Sequence, residues 1–322
     1  MTKDRSPRNK TMTLSAAEVR RFSTDITTLK APSSVDAIAG RTICQDIIHA
    51  AKYLPARSVD LLFIDPPYNI DKEFHAESFR ARSSAGYAEY MGSWFRALVP
   101  SLRRTASIYV CGDWRSSAAI YDVLSRHVIV RSRITWEREK GRGAKANWKN
   151  ASEDIWFATV SDNYAFNTDA VKIMRRVIAP YTENGKPKDW ERTAHGGFRR
   201  THASNLWTDL TVPYWSMPEN TEHPTQKPEK LLAKIMLASS NEGDMVLDAF
   251  AGSGTAAAVA KKLGRRYCSI EKDERYAALI EKRLAGIERG DRIQGYEGGV
   301  FWERNSIAAQ EAFAQRRTHG HR

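Results

Sequence analysis

The stretch Met245-Val-Leu-Asp-Ala-Phe-Ala-Gly-Ser-Gly-Thr255 decides the fold. It begins as a strand that runs into a glycine-rich turn, and an alanine-rich helix follows over 255–263. Gly252 and Gly254 allow a positive φ and a close approach of the backbone to a ligand, while the N–H groups of the new helix face the same ligand. We therefore predict a strand, turn and helix that bind a nucleotide cofactor at the carboxyl end of the strand.

A second strand and a carboxylate follow this helix. Gly264 ends the helix, and residues 266–270 are predicted to form the next strand, with Glu271 at its tip. A carboxylate about 20 residues beyond the glycines holds ribose hydroxyls in dinucleotide-binding folds. Because Gly252 to Ala257 also fit the G-x-G-x-x-A pattern of NAD enzymes, this motif alone leaves a nicotinamide-dependent dehydrogenase open.

The stretch Val59-Asp-Leu-Leu-Phe-Ile-Asp-Pro-Pro-Tyr68 is a second motif, in which a short apolar strand stops at two prolines. Proline has no N–H and fixes its own φ, so Pro66 and Pro67 end the strand and keep Asp65 extended. The resulting platform offers a carboxylate, backbone carbonyls and the ring of Tyr68, which suit a planar group that bears an amine. We predict that Asp65, Pro66, Pro67 and Tyr68 are catalytic. A nicotinamide-dependent dehydrogenase would have no function for these four residues.

Taken together and in this order, the two motifs resemble those of the β group of DNA amino-methyltransferases, which use S-adenosylmethionine (AdoMet). His223-Pro-Thr-Gln-Lys-Pro228 resembles the element that helps to hold the methionine part of AdoMet, and Gln45-Asp46 resembles the segment that reaches its adenine. The resemblance covers roughly residues 40–285. It implies that the cofactor site is made of Asp46, His223, Thr225, Gln226, Lys227, Asp248, Phe250, Gly252, Ser253, Gly254, Thr255 and Glu271.

The resemblance implies an α/β protein with a Rossmann-like, seven-stranded AdoMet-dependent methyltransferase fold and an inserted target-recognition lobe. It also implies site-specific methyl transfer from AdoMet to the exocyclic amine of a base flipped out of double-stranded DNA. Ile64 precedes Asp65 where cytosine-modifying members usually show Thr-Ser or Ser, so N6 of adenine is favoured. The alternatives are N4 of cytosine, an RNA target, and a non-catalytic DNA-binding protein on the same fold.

The chain alternates strands and helices on both sides of an irregular middle, which predicts a parallel sheet with helices on both faces. The middle holds five of the nine tryptophans and interrupts the alternation. We expect the N-terminal part to be either an arm that touches DNA or a disordered tail. The predicted parts are a basic N-terminal arm (1–39), the catalytic half (40–136), a target-recognition region (137–215), the AdoMet-binding half (216–289) and a C-terminal extension (290–322).

Two groups of basic residues in the middle region are candidates for DNA contacts. The first is a glycine-hinged basic stretch that suits phosphates, and the second lies in a glycine-rich loop that suits phosphates or base edges. His195 and His202 flank the second group, but they have no third well-spaced ligand, so we expect no metal site. The candidate DNA-binding residues are Arg138, Lys140, Arg142, Lys145, Lys149, Arg199 and Arg200.

The composition agrees with an intracellular enzyme that acts on nucleic acid. The formal net charge of +12 is the expected sign for a partner that carries phosphates. The three cysteines, Cys44, Cys111 and Cys268, are far apart in apolar segments, so we expect reduced packing residues. We expect no signal peptide, no membrane span and a cytoplasmic location. A homodimer and a restriction endonuclease that acts separately are compatible with the resemblance.

Overall fold

The structure is a computed structural model that describes residues 6–73, 75, 78–138, 146, 148–179, 181–193 and 195–312. Its helices are α1 (Ala16–Phe22), α2 (Val35–Ile38), α3 (Ile47–Ala51), α4 (Ser84–Leu98), α5 (Ser117–Ser125), α6 (Glu229–Ser239), α7 (Thr255–Lys262) and α8 (Glu274–Ala285). Its strands are β1 (Arg41–Cys44), β2 (Val59–Ile64), β3 (Lys72–Glu73), β4 (Ser78–Phe79), β5 (Leu102–Gly112), β6 (Ile129–Glu137), β7 (Ser152–Thr159), β8 (Ile173–Arg176), β9 (Thr182–Glu183), β10 (Lys186–Pro187), β11 (Glu191–Thr193), β12 (Gly196–Thr201), β13 (Leu206–Trp207), β14 (Met245–Asp248), β15 (Arg266–Glu271), β16 (Tyr296–Glu297) and β17 (Val300–Trp302). Residues 307–312 are also helical.

The main sheet has the strand order β1-β15-β14-β2-β5-β7-β6-β13. Its first five strands are parallel, whereas β7 runs antiparallel to both of its neighbours. β14, which leads into the glycine turn, lies beside β2, which leads into Asp65. Because the carboxyl ends of parallel strands share one edge of a sheet, the two sequence motifs meet at that edge.

The apolar run of β2 is buried on both faces, as the sequence predicts for a central parallel strand. Leu62 and Ile64 pack in the core that α4 and α5 cover, whereas Leu61 and Phe63 pack in the core that α6 and α7 cover. This division follows from the alternation of side chains along a strand.

The main sheet has eight strands rather than the predicted seven. The eighth, β13, is two residues long and pairs in parallel with β6. Its Trp207 is buried, and the ammonium of Lys234 in α6 lies 4.4 Å from the centroid of the indole ring. Packing of Trp207 against α6 therefore adds one short strand to the edge of the sheet.

A second sheet, with the order β11-β12-β8-β17-β16, shares no strand with the main one. Strands of the predicted recognition region supply β8, β11 and β12, but residues 290–322, which the sequence separates as an extension, supply β16 and β17. Met174, Phe198 and Trp302 share one buried cluster of this sheet. The range 137–215 also contains β7 and β13 of the main sheet, so it mixes strands of two sheets.

Residues 6–39 are packed on the rest of the chain and do not form the free arm or tail that the sequence predicts. The backbone N–H of Lys10 donates to the carbonyl of Trp215, and Met12 forms a parallel bridge with Thr221. Leu14 and Leu29 are buried. The isolated apolar residues of this polar segment thus bury themselves through long-range contacts.

No helix among the described residues combines the length and the apolar character that crossing a membrane requires.

Candidate active site

A cavity of about 1170 Å³, here called the main cavity, opens at the carboxyl edge of the parallel strands. Every predicted catalytic and cofactor residue except Gly254 lines it. Sites for one small molecule usually measure about 300–1,000 Å³, so this volume has room for a cofactor and part of a second ligand. The two sequence motifs therefore contribute to one cavity.

The glycine turn between β14 and α7 adopts the conformation that its sequence predicts. Gly252 has φ +52° and Gly254 has φ +70°, in the left-handed region that favours glycine. A Cβ atom on Gly252 would lie 2.9 Å from the ring of His223, and one on Gly254 would lie 2.8 Å from Ile280. Side chains at these two positions would therefore both strain the turn and collide with its neighbours.

Two carboxylates flank the glycine turn, and of these Asp248 is buried and Glu271 is partly buried. Glu271, at the end of β15, accepts hydrogen bonds from the N–H groups of Gly252 (2.7 Å) and Asp273 (2.9 Å). Burial raises the pKa of Glu271 to about 7. Burial, with the negative charges of Asp65 and Glu271 nearby, raises the pKa of Asp248 to about 8. A cationic ligand would relieve this crowding of negative charge.

Asp46 lies two residues after β1, the strand that pairs with β15 and whose Cys44 is the partner of Glu271 in the register. It is the N-cap of α3, and its Oδ1 accepts a hydrogen bond of 2.9 Å from the N–H of Ile48. The preceding Gln45 exchanges two hydrogen bonds with the backbone of Leu29, which fastens this end of the cavity to the N-terminal segment.

The turn after β2 is held from two sides. The hydroxyl of Tyr87 in α4 donates to the carbonyl of Pro67 over 2.8 Å. The N–H of Asn69 donates to the hydroxyl of Ser116, and the Asn69 side chain exchanges two hydrogen bonds with the backbone of Arg82. The two prolines and these contacts give the turn that carries Asp65 a fixed backbone.

Asp65 has one occupied oxygen and one open oxygen. Its Oδ2 lies 2.6 Å from the Nζ of Lys227. Its Oδ1 is buried, and no group in the described part of the chain donates to it. Burial raises the pKa of Asp65, and the charge of Lys227 opposes that rise. The sequence assigns Lys227 to the cofactor, but the structure places its ammonium on Asp65.

Sequence reasoning missed Glu153, which lies at the start of β7. Its Oε2 accepts a hydrogen bond of 2.9 Å from the hydroxyl of Tyr68, and its Oε1 pairs with Arg138 at 2.5 Å. Because β7 is antiparallel to β5, its first residues reach the edge where the parallel strands end. The available signal was a carboxylate at the beginning, rather than the end, of a buried strand.

The structure describes four of the seven predicted DNA-binding residues. Arg138 lines the main cavity and pairs with Glu153, and 38% of its side chain is exposed. Lys149, Arg199 and Arg200 are exposed, and Arg199 in β12 lies 3.4 Å from Asp189. Lys140, Arg142 and Lys145 fall outside the described residues.

Solved structures with the same fold are methyltransferases. A complex of M1.HpyAVI with SAM aligns with a TM-score of 0.52 at 22% identity and covers 76% of this chain and 98% of that chain. The PvuII DNA methyltransferase, described as cytosine-N4-specific, aligns with a TM-score of 0.54 at 16% identity. The alignment covers 79% of this chain and 87% of that chain. At these identities the comparison shows the fold, and it confirms the predicted Rossmann-like methyltransferase architecture.

Two curated relatives are more similar in sequence. The type II methyltransferase M.HpaI of Haemophilus parainfluenzae is 31% identical over 76% of this chain and 74% of its own length. The DNA adenine methyltransferase YhdJ of Escherichia coli K12 is 34% identical over 74% of this chain and 80% of its own length. The family model N6_N4_Mtase, described as DNA methylase, matches residues 59–282. These matches confirm the predicted resemblance, and the chain belongs to the N6_N4_Mtase family of DNA methylases.

Proposed function

We propose that this protein transfers a methyl group from AdoMet to N6 of a flipped-out adenine in double-stranded DNA. The observation that carries the proposal is the open Oδ1 of Asp65, which shares the main cavity with Tyr68 and the glycine turn. The similarity to YhdJ, which is described as a DNA adenine methyltransferase, supports adenine. The PvuII enzyme, described as cytosine-N4-specific, is similar in fold alone.

The residues around the glycine turn suit AdoMet by their chemistry. AdoMet, when bound, supplies an electrophilic methyl group on a positively charged sulfur. Asp248 and Glu271 are carboxylates whose ionisation a cationic ligand would favour, and Glu271 can also accept hydrogen bonds from ribose hydroxyls. Gly252 and Gly254 have a positive φ and no room for a Cβ atom, so the turn presents bare backbone to a ligand.

The catalytic turn suits an amine. A base in a duplex must leave the stack to reach this cavity, at a cost of a few kcal/mol. The ring of Tyr68 provides a face for stacking, while Asp65 Oδ1 and the carbonyl of Pro66 accept the two amine hydrogens. These hydrogen bonds draw the nitrogen lone pair out of conjugation and towards the methyl donor. Asp65 is placed to receive the proton that the nitrogen loses, and no covalent enzyme intermediate is required.

Methyl transfer can be measured directly. The purified protein is incubated with DNA and AdoMet that carries a tritiated methyl group, and the DNA is digested to nucleosides. We expect the label in N6-methyldeoxyadenosine. Label in N4-methyldeoxycytidine would establish the cytosine alternative, and absence of label would favour a non-catalytic DNA-binding protein. Methylation-sensitive sequencing of DNA from cells that express the protein would then identify the target site.

We expect the affinity for AdoMet to rise with pH. In the protein without ligand, Glu271 and Asp248 have pKa values of about 7 and about 8, above their ordinary range. Both carboxyls are therefore largely protonated at acidic pH. A cationic ligand favours the ionised forms, so binding should release protons near neutral pH and weaken as the pH falls through these values. Calorimetric titrations in buffers of different ionisation enthalpy measure the affinity and the proton release.

S-adenosylhomocysteine is the matched control for this titration, because it lacks the positive charge on sulfur. Its affinity should depend less on pH than that of AdoMet. Equal pH dependence for the two ligands would mean that the sulfonium does not interact with Asp248 and Glu271.

The exposed arginines of β12 should affect DNA recognition without affecting the cofactor. If Arg199 or Arg200 contacts a guanine through two hydrogen bonds, replacing it with alanine should cost about 1–3 kcal/mol at one base position. If it contacts phosphate, the loss of affinity should be the same for all DNA sequences. The slope of log K against log salt concentration should then flatten by roughly one unit per lost contact. Binding to a set of single-base variants at several salt concentrations separates the two. Unchanged DNA binding would exclude both residues from the DNA interface.

If Lys140, Arg142, Lys145 and Lys149 contact phosphates, replacing them with alanine should weaken binding to every DNA sequence and flatten its salt dependence. Arg138 is different, because the structure pairs it with the buried Glu153. Substitution of Arg138 alone should therefore change turnover as well as DNA affinity.

The homodimer, the separate restriction endonuclease and the cytoplasmic location stay predictions. Light scattering of the purified protein measures whether it forms a dimer.

A further inference from the structure

Asp65 belongs to a network of four charged groups that also contacts Tyr68, and the other three are Lys227, Glu153 and Arg138. The Nζ of Lys227 lies 2.6 Å from Asp65 Oδ2 and 3.6 Å from Glu153 Oε2. The side chains of Lys227 and Glu153 are only 8% and 5% exposed. With Arg138 on the other oxygen of Glu153, the network contains two carboxylates and two cations. Their formal charges cancel, which limits the cost of burying them.

We propose that Lys227 and Glu153 are positioning residues for methyl transfer, with Lys227 orienting the carboxylate of Asp65 and Glu153 orienting the ring of Tyr68. This proposal rests on the function proposed above. Lys227 holds Oδ2, so the carboxylate keeps Oδ1 open for an amine hydrogen. Glu153 accepts from the hydroxyl of Tyr68, which restricts rotation of the phenol and keeps its face in a fixed direction.

The geometry favours a role in the reaction over a role in stability alone. A buried ion pair often stabilises a fold no better than apolar side chains of similar volume. Here Lys227 contacts Asp65 and Glu153 contacts Tyr68, and all four side chains line the main cavity. Lys227 also lies 5.2 Å from the centroid of the Tyr68 ring, so one ammonium contacts both of them.

The two residues should move the acid limb of the pH profile in opposite directions. Asp65 must be ionised to accept an amine hydrogen, and the charge of Lys227 lowers its pKa while that of Glu153 raises it. Removing Lys227 should therefore shift the acid limb of kcat to higher pH, and removing the charge of Glu153 should shift it to lower pH. Tyr68, Asp248, Lys72 and Cys111 also face Asp65, but they are unchanged in both variants.

The test compares Lys227→Met, Lys227→Arg and Glu153→Gln in the full-length protein. For each variant, kcat is measured across pH at saturating AdoMet and DNA, and AdoMet affinity is measured by calorimetry. Lys227→Met should lose roughly tenfold to a hundredfold in kcat, because a misplaced reacting group costs up to that much. Lys227→Arg should restore the position of the acid limb. Lys52→Met, at an exposed position after α3, is the matched control and should behave as wild type.

The outcomes separate this proposal from the proposed function. If the wild-type protein transfers no methyl group, the function itself is wrong. If wild type is active but neither Lys227→Met nor Glu153→Gln moves the acid limb, the positioning roles are wrong and the function stands. If Lys227→Met weakens AdoMet binding in proportion to its loss of turnover, Lys227 belongs to the cofactor site, as the sequence predicts. Should Lys227→Met fail to fold, the profile of Glu153→Gln still decides, because its acid limb must move to lower pH.

Discussion

Replacing Asp65 with alanine should lower kcat by about 10²–10³-fold or more, the usual loss when one stabilising group is removed from an active site. The variant lacks the buried oxygen that we expect to orient the amine. Its affinity for AdoMet should barely change, because the glycine turn and Glu271 are untouched. Single-turnover methylation measures the chemical step, and calorimetry measures the affinity.

Asp65→Asn is the informative companion variant. The amide keeps the shape and one acceptor oxygen but cannot take up a proton, and Lys227 retains Glu153 as a partner at 3.6 Å. We expect Asp65→Asn to fold as wild type does and to lose most of the activity. Wild-type turnover in Asp65→Ala would contradict the assignment of this residue to the chemistry.

Replacing Glu271 with alanine should weaken AdoMet binding by about 1.5–3 kcal/mol, or roughly 10-fold to 150-fold, the contribution of hydrogen bonds to a charged acceptor. The substitution also removes the acceptor of the Gly252 N–H, so part of the loss should come from a looser glycine turn. Titration calorimetry gives the affinity, and thermal unfolding of the cofactor-free protein reports the loosening.

Glu271→Gln separates the two contributions, since its amide oxygen can still accept from Gly252. A variant that unfolds like wild type but binds AdoMet weakly would assign Glu271 to the ligand. Unchanged affinity in both variants would place the ribose elsewhere in the main cavity.

The sequence predicts those parts of the structure that depend on neighbours in the chain. The strand bounds at Val59–Ile64 are confirmed, because a continuous apolar run ends there just before two prolines. The strand predicted ahead of the glycine turn is present as Met245–Asp248. The positive φ at Gly252 and Gly254 is a local property in the same sense.

The sequence does not predict features that depend on distant pairing. Glu153 reaches Tyr68 only because β7 inserts antiparallel between β5 and β6, and no local pattern specifies that order. Lys227 belongs to the predicted cofactor element, yet tertiary packing directs its ammonium to Asp65. Likewise, Met12 finds its partner at Thr221, more than half the chain away, so a short polar segment conceals a packed element.

The position of β17 has a consequence for the order in which the protein can assemble during synthesis. Phe301 pairs with Ile173, so the second sheet closes only after a late segment has left the ribosome. β15, by contrast, ends at Glu271 and completes the neighbours of β14 earlier. Chains fold from the N-terminus as they emerge, and distant pairings form slowly. In a nascent chain, the parallel strands whose carboxyl ends line the main cavity can therefore be complete before the second sheet is. At that stage the sheet that contains Arg199 and Arg200 still lacks β16 and β17.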